Sequence, residues 1–125
     1  MINYPCRGQI WLVSLDPVTG SEIGKTRPAL VISNDKNNRY SSTVTVIPLT
    51  GSSEKIYPFE VFIGKKYSGL SLDSKIKCNQ VRTVDRARLI KSTGQIPEDK
   101  MNEVEKALLL HLDIDSRGFS YLNSF

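Results

Sequence analysis

Gly20 to Ser33 reads GSEIGKTRPALVIS: small and charged residues, an Arg-Pro step, and then an apolar run. Proline biases the residue before it toward an extended backbone, so Arg27 is expected extended at the mouth of a strand, Ala29 to Ser33, pointing off the end of a rigid element. Upstream, Asp16 to Thr26 contains Pro17, Gly20 and Gly24. It reads as a mobile connection of roughly a dozen residues, longer than a hairpin requires, and such loops inside compact domains are usually functional or disordered. Glu22 is the acid of this loop close to Arg27. It is either a surface carboxylate paired with Lys25 or Arg27, or a member of a site.

Outward from that stretch, Gln9 to Leu15, Thr43 to Leu49 and Phe59 to Ile63 are short β-branched or aromatic runs bounded by Gly, Pro, Asn, Asp and Ser clusters, and they read as strands. Ser74 to Asp85 is longer. Its apolar parity slips between Cys78 and Val81, which predicts a bulge near Asn79 and Gln80, and Arg88 to Ile90 makes a short final strand. Pro97 suits a first helical turn, Glu98 and Asp99 suit its positive end, and Met101, Val104, Leu108 and Leu112 recur at helical spacing. Several short strands followed by one helix, Pro97 to Leu112, predict a small, mostly antiparallel barrel or strongly twisted sheet carrying a helix. The chain is expected to be one domain over residues 1–125, with a tail after about residue 115 that has no clear periodicity.

The 125 residues carry a formal net charge of +4, and the charge is uneven. Lys75, Lys77, Arg82, Arg86, Arg88 and Lys91 crowd one segment against Asp85 alone, whereas the terminal helix is acidic. Such asymmetry fits a polyanion partner or a solvated charged face. No apolar run approaches the roughly 18 residues needed to span a bilayer, and the N-terminal run is too short to read as a signal peptide, so no membrane association and a cytoplasmic location are expected. Cys6 and Cys78 form no metal-ligand spacing and read as buried or incidental thiols. The only histidine, His111, reads as a solvated group near a helix end, which leaves any acid–base chemistry to other residues.

Two further stretches matter. In VIPLTGSS, Val46 to Ser53, a strand gives way to Thr50, whose hydroxyl can donate or accept, and to Gly51, which permits close backbone approach; Ser52 and Ser53 complete what is, taken alone, an ordinary turn. In CNQVRTVDRARL, Cys78 to Leu89, the polar Asn79, Gln80, Arg82 and Thr83 sit within a half-buried strand, where they form a satisfied network or line a site. No Walker loop, dinucleotide fingerprint, nucleophile elbow or His-rich metal motif is present. Neither a metal nor a cofactor is expected.

Taken together, RGQIWLVSLDPVTGSE at Arg7 to Glu22, GKTRPALVIS at Gly24 to Ser33, VIPLT at Val46 to Thr50, YPFEV at Tyr57 to Val61 and NQVRTVDRARL at Asn79 to Leu89 resemble the MazF/PemK/Kid toxins of bacterial toxin–antitoxin pairs, which are sequence-specific endoribonucleases. The order and spacing of these words are far more specific than any one of them. The resemblance implies an SH3-like barrel with a C-terminal helix, acting as a homodimer with single-stranded RNA in a groove at the dimer interface and an antitoxin whose C-terminal segment occupies that groove. Strands such as Trp11 to Leu15, apolar on both parities, fit such a dimer.

The family's catalytic arginine matches Arg27 and its catalytic threonine matches Thr50; Glu22 matches a glutamate frequent in the family, which the resemblance implies as a third catalytic residue that helps to remove the 2′-proton or shapes the loop. Ser21, Lys25, Pro28, Gly51, Ser52, Ser53, Lys77, Asn79, Gln80 and Arg82 are the implied RNA-binding positions. Kid-type members carry a histidine in the first loop and an arginine and aspartate before Gln80. The matching positions here are Ser21, Lys77 and Asn79, so a scheme through that aspartate loses its carboxylate while the Arg27/Thr50 scheme keeps both groups. The implied reaction is metal-independent attack of the RNA's own 2′-hydroxyl. The alternatives are a toxin of the same barrel that binds a protein such as gyrase and cuts nothing, or an inactive RNA-binding barrel.

Overall fold

The computed structural model describes residues 3–51 and 55–115, so Ser52, Ser53 and the tail lie outside the described residues. Strands β1 (Gln9–Ser14), β2 (Thr26–Val31) and β3 (Thr43–Thr50) are followed by β4 (Glu60–Ile63), β5 (Ser74–Lys77), β6 (Arg82–Asp85) and β7 (Leu89–Gln95). Helix α1 (Asp35–Tyr40) lies between β2 and β3, the single turn α2 (Lys65–Ser68) follows β4, and α3 (Glu98–Leu112) closes the chain. The strands form one antiparallel sheet in the order β4-β5-β3-β2-β1-β7, with β6 also paired to β3.

Alternation along the strands sends apolar side chains to both faces of this sheet. One core gathers Ile10, Leu30, Ile47, Leu49, Val61, Ile63 and Ile76 under Val104 and Ala107 of α3. The other gathers Val13, Leu15, Ala29, Val31, Val44, Val46 and Val84, with Trp11 packed against it. Ile10, Trp11 and Val13 of β1 therefore have internal destinations, while the part-buried Leu12 belongs to neither core. Two cores, rather than a subunit contact, account for much of the two-sided pattern that the sequence offered as a sign of a dimer.

Three sequence expectations change. Ser74 to Asp85 is not one bulged strand but two, separated by a 3-10 turn at Cys78–Gln80. β5 pairs with the end of β3 and with β4, while β6 pairs with the beginning of β3, so the parity slip marks a change of partner and of core. The last strand is longer than Arg88 to Ile90, running Leu89–Gln95 along β1 with two register shifts. β2 begins three residues earlier than expected, because Arg27 and Pro28 already lie opposite Val13 and Leu12. The ladder from β2 to β3 starts only at Ala29, opposite Pro48, which leaves Pro28 at a place where its missing N–H is tolerated.

The ends of the sheet meet through α2. Gly69, at φ 74°, and Gly94 in β7 let two backbones touch: a Cβ on Gly94 would lie 2.5 Å from the Ser68 carbonyl oxygen, and one on Gly69 would lie 1.8 Å from that of Thr93. The result is a coiled, barrel-like sheet. α3 starts after Pro97 and ends at Asp113, whose left-handed backbone (φ 55°) lets its amide cap the Leu109 and Leu110 carbonyls. Of its expected apolar stripe Val104 is buried and Met101 and Leu108 are partly buried, but Leu112 is exposed. His111 is exposed near the helix end, as read from the sequence.

Candidate active site

The loop between β1 and β2 is tied down rather than loose. Its ends are clasped by the Leu15 amide donating to the Lys25 carbonyl (2.8 Å) and the Lys25 amide donating to Asp16 Oδ1 (2.8 Å). Arg82 Nη1 donates to the Leu15 carbonyl (3.1 Å), and Arg88 Nη1 to those of Ser14 (3.0 Å) and Asp16. The Ile23 amide donates to Gln80 Oε1 at 3.2 Å, fastening the loop to the turn between β5 and β6. Much of the basic segment therefore serves loop carbonyls. Arg86 does likewise, reaching the carbonyls of Ser41 and Asn3.

Arg27 sits in the first rungs of β2, half-buried, with Nε donating to the Gly24 carbonyl at 3.0 Å. That bond holds one edge of the guanidinium against the loop it follows. The β2–β3 ladder pairs Val31 with Val46, Leu30 with Ile47 and Ala29 with Pro48. Continued two residues past its last rung, the same register aligns Arg27 with Thr50, and residues opposed across an antiparallel pair share a face. Thr50 is in turn opposite Lys75 on β5. A small cleft of about 210 Å3 has Arg27, Pro28, Leu49 and Gly51 on one side and Leu70, Leu72 and Ser74 on the other.

Glu22 belongs to a different cleft. It lines a space of about 460 Å3 with Pro17, Ser21, Asn79, Gln80, Val81 and Arg82. Its Oε1 accepts from the Thr19 amide at 2.6 Å, and among the described residues it pairs with neither Lys25 nor Arg27. Candidates drawn together by the sequence thus divide between two adjoining clefts, with the Ile23–Gly24 backbone fastened to both. In the larger one Asn79 Oδ1 is buried and has no hydrogen-bond partner among the described residues. Such an orphan acceptor costs about 1–3 kcal/mol, which native structures retain sparingly.

Lys77, an expected RNA contact, is engaged elsewhere. Glu60 is 4% exposed and receives Lys75 Nζ at 3.2 Å, Lys77 Nζ and the Tyr57 amide at 3.0 Å. Burial opposes ionisation of this carboxyl, but the two ammonium groups and the amide outweigh it and hold its pKa below the ordinary carboxylate value. Nothing in the spacing of Glu60, Lys75 and Lys77 announced this cluster, because the pairing of β4 with β5 brings them together. Cys78 is buried, and that burial, then the Glu60 charge, push its thiol up to about 12. It is an inert thiol. Among the described residues no three His, Cys, Asp or Glu side chains converge to hold a metal ion, and no helix is long and apolar enough to cross a membrane.

Comparison with known proteins follows the same lines. A family model described as the PemK-like, MazF-like toxin of type II toxin–antitoxin systems matches residues 6–112. The chain is 38% identical over 113 residues to endoribonuclease MazF9 of Mycobacterium tuberculosis, covering 86% of this chain and 96% of that protein. Its fold is similar to that of MazF from Deinococcus radiodurans (TM-score 0.78, 27% identity, 90% of this chain and 100% of that one). It is also similar to a chain of the MazE–MazF structure from the same organism (TM-score 0.71, 27% identity, 89% and 97%).

Proposed function

Because this chain belongs to the PemK-like, MazF-like family of type II toxin–antitoxin toxins, we propose that it is a sequence-specific endoribonuclease toxin that cleaves single-stranded RNA at the cleft of Arg27 and Thr50. The observation that carries this reading is the cleft lined by Arg27, Pro28 and Gly51 where β2 begins and β3 ends, beside which the β2–β3 register, extended past its last rung at Ala29 and Pro48, sets Thr50 opposite Arg27. A related protein named as an endoribonuclease supports the activity. A related MazE–MazF structure supports an antitoxin partner.

The chemistry follows from what these groups supply. The 2′-hydroxyl of the nucleotide 5′ of the cut releases its proton to water as its oxygen attacks the adjacent phosphorus, the bond to the 5′-oxygen breaks, and that oxygen takes up a proton from water, leaving a 2′,3′-cyclic phosphate and a 5′-hydroxyl. That nucleophile is already next to the phosphate, so little orientational entropy remains to be lost. Negative charge grows on the non-bridging oxygens, and a guanidinium answers it with paired donors in a fixed plane. Arg27 fills that role, with its Nε already engaged by Gly24 and its outer nitrogens turned to the phosphate. Thr50 bonds the same phosphate through its hydroxyl, and Gly51 lets the strand approach the backbone closely. Glu22, whose carboxylate holds the Thr19 amide, shapes the loop.

Ser21, Asn79, Gln80 and Arg82 extend the RNA path across the neighbouring cleft, with Lys25 in the loop between the clefts and Pro28 beside Arg27. Single-stranded bases splay into such clefts and are read on their edges. The orphan Asn79 acceptor suits a base that brings a donor. The toxin acts in the cytoplasm as a homodimer, to which the exposed Leu110 and Leu112 of α3 and Ile90 of β7 offer apolar area, and the antitoxin's C-terminal segment inhibits by lying in the RNA groove.

The test is product chemistry with a labelled RNA. Cleavage persists in EDTA, gives the cyclic phosphate and 5′-hydroxyl, and stops when the nucleotide 5′ of the cut carries 2′-deoxyribose, while binding survives that change. Loss of cleavage in EDTA, or cutting of the deoxy-substituted bond, overturns the 2′-hydroxyl mechanism. An intact RNA under all conditions overturns the nuclease.

A further inference from the structure

Beyond the two clefts, a third feature lies one strand further along from Thr50. The rings of Tyr57 and Phe59 stack with centroids 5.7 Å apart and planes 5° from parallel. Lys55 Nζ lies 4.8 Å and Lys75 Nζ 5.9 Å from the Tyr57 ring centroid, and Lys77 Nζ lies 5.9 Å from that of Phe59. Aromatic rings that serve only a core are covered. Tyr57 is instead 43% exposed beside Ile56 at 39%.

This patch is built, not incidental. Glu60 Oε1 accepts from both the Tyr57 amide (3.0 Å) and Lys75 Nζ (3.2 Å), and Lys75 Nζ also donates to the Lys55 carbonyl (3.2 Å). One buried carboxylate therefore fixes the backbone of the ring and the cation beneath it. Three ammonium groups face one carboxylate, so the described residues leave the patch positive. Lys75 is the residue paired with Thr50 across β3 and β5. With neighbouring strands about 4.8 Å apart, the patch adjoins the cleft proposed for the scissile phosphate.

We propose that the stacked Tyr57–Phe59 pair, flanked by Lys55 and Lys75, is a base-stacking subsite that carries the RNA strand past Thr50. This rests on the endoribonuclease reading and adds to it a place for a nucleotide outside the cut. Phe59 stacks on Tyr57 and the exposed Lys55 ammonium lies over the ring, so an incoming base takes the ring by displacing that ammonium toward the adjoining phosphate; this pairing of stacking and charge is how proteins hold single strands without reading sequence. The subsite therefore contributes affinity that is indifferent to base identity. The sequence preference is left to the cleft of Asn79 and Gln80.

The experiment measures binding of an uncuttable 2′-O-methyl oligoadenylate and of an abasic oligomer of equal length, alongside cleavage of a labelled RNA, for the full chain and three variants. Tyr57→Leu is expected to weaken oligoadenylate binding by about 5- to 150-fold and to narrow the preference for base-bearing over abasic strands, with an unchanged salt dependence. Tyr57→Phe keeps both affinity and preference. Lys55→Ala lowers the salt slope and leaves the preference intact. Equal binding of the two oligomers by the unaltered protein, or a Tyr57→Leu protein that melts and binds like it, overturns the subsite while cleavage still stands. If Tyr57→Phe loses as much as Tyr57→Leu, stacking is overturned in favour of the hydroxyl. An unaltered protein that neither binds nor cuts RNA overturns the endoribonuclease reading and the subsite together.

Discussion

The single residue on which the most chemistry depends is Arg27. Removing it as Arg27→Ala is expected to abolish cleavage, with thermal melting near that of the unaltered protein because the side chain is only half-buried; Arg27→Lys recovers little, since an ammonium is a point charge where a planar fork is needed. Thr50→Ala is expected to be similarly inactive and Thr50→Ser to keep part of the rate through its hydroxyl. Single-turnover cleavage assays on the folded variants check both, and near-normal turnover by Arg27→Ala would remove it from the mechanism. Glu60 behaves differently, as a stability residue. Its folded pKa lies below the ordinary value of 4.5, so its ionised form stabilises the fold fully above that value, and the contribution is lost as pH falls through the depressed folded pKa. Glu60→Gln is expected to cost roughly 1–3 kcal/mol at neutral pH, less than for a fully buried pair because both lysines keep some access to water. The gap between the two proteins narrows on acidification below about pH 4.5, and denaturant melts across that range measure it. A gap that widens in acid would mean that the carboxyl is not held ionised.

At the scale of elements, the contact between α2 and β7 brings the ends of the sheet together. Gly94 has the Ser68 carbonyl where a Cβ would stand, and the nearest atoms are backbone, which cannot swing aside as a side chain can. Gly94→Ala is expected to lower stability by about 1–3 kcal/mol, as overpacking of a close contact does, while an alanine at Gly51, where a Cβ would meet only Leu72 Cδ1 at 3.7 Å, melts normally. Calorimetry of the two distinguishes a backbone contact from a permissive turn. Equal melting temperatures would show that α2 moves freely relative to β7. The turn between β5 and β6 is the other organising element, since Gln80 anchors the Ile23 amide there and Arg82 and Asn79 line the cleft beside it.

For the whole molecule, the expected unit is a homodimer. Ile90, Leu110, Leu112 and Ile114 remain 46–59% exposed, apolar area on β7 and at the end of α3 that the two internal cores do not use. Sedimentation velocity at micromolar concentration is expected to give a dimer, and Leu112→Lys to shift it toward monomer with a parallel loss of cleavage. A monomer at every concentration, still active, would place the whole RNA path on one chain. Binding is also expected to weaken steeply with salt, although the arginines of the basic segment hold backbone carbonyls, so the slope reflects Lys25, Lys55 and the clefts more than a count of cations in the sequence.

Much of this was legible in the residues themselves. Period-two apolar runs marked β1, β3 and β4 to within a residue, and Pro97 with Glu98 and Asp99 marked the start of α3, because alternation, helical spacing and capping are local properties that short windows contain. Resemblance in the order of five words pointed to Arg27 and Thr50. What local pattern could not contain was partnership between distant strands. The parity slip near Asn79 looked like a bulge, but its meaning was a switch of partner from the end of β3 to its beginning; Lys77 looked like a free cation, but β4 carried Glu60 to it. Two cores, one on each face of the sheet, likewise consumed apolar residues that seemed to need a second subunit. Register across the sheet is a long-range quantity, decided when both cores pack at once; it brings the start of β2 alongside the end of β3, where Arg27 and Gly51 line one cleft, and leaves Glu22 lining another.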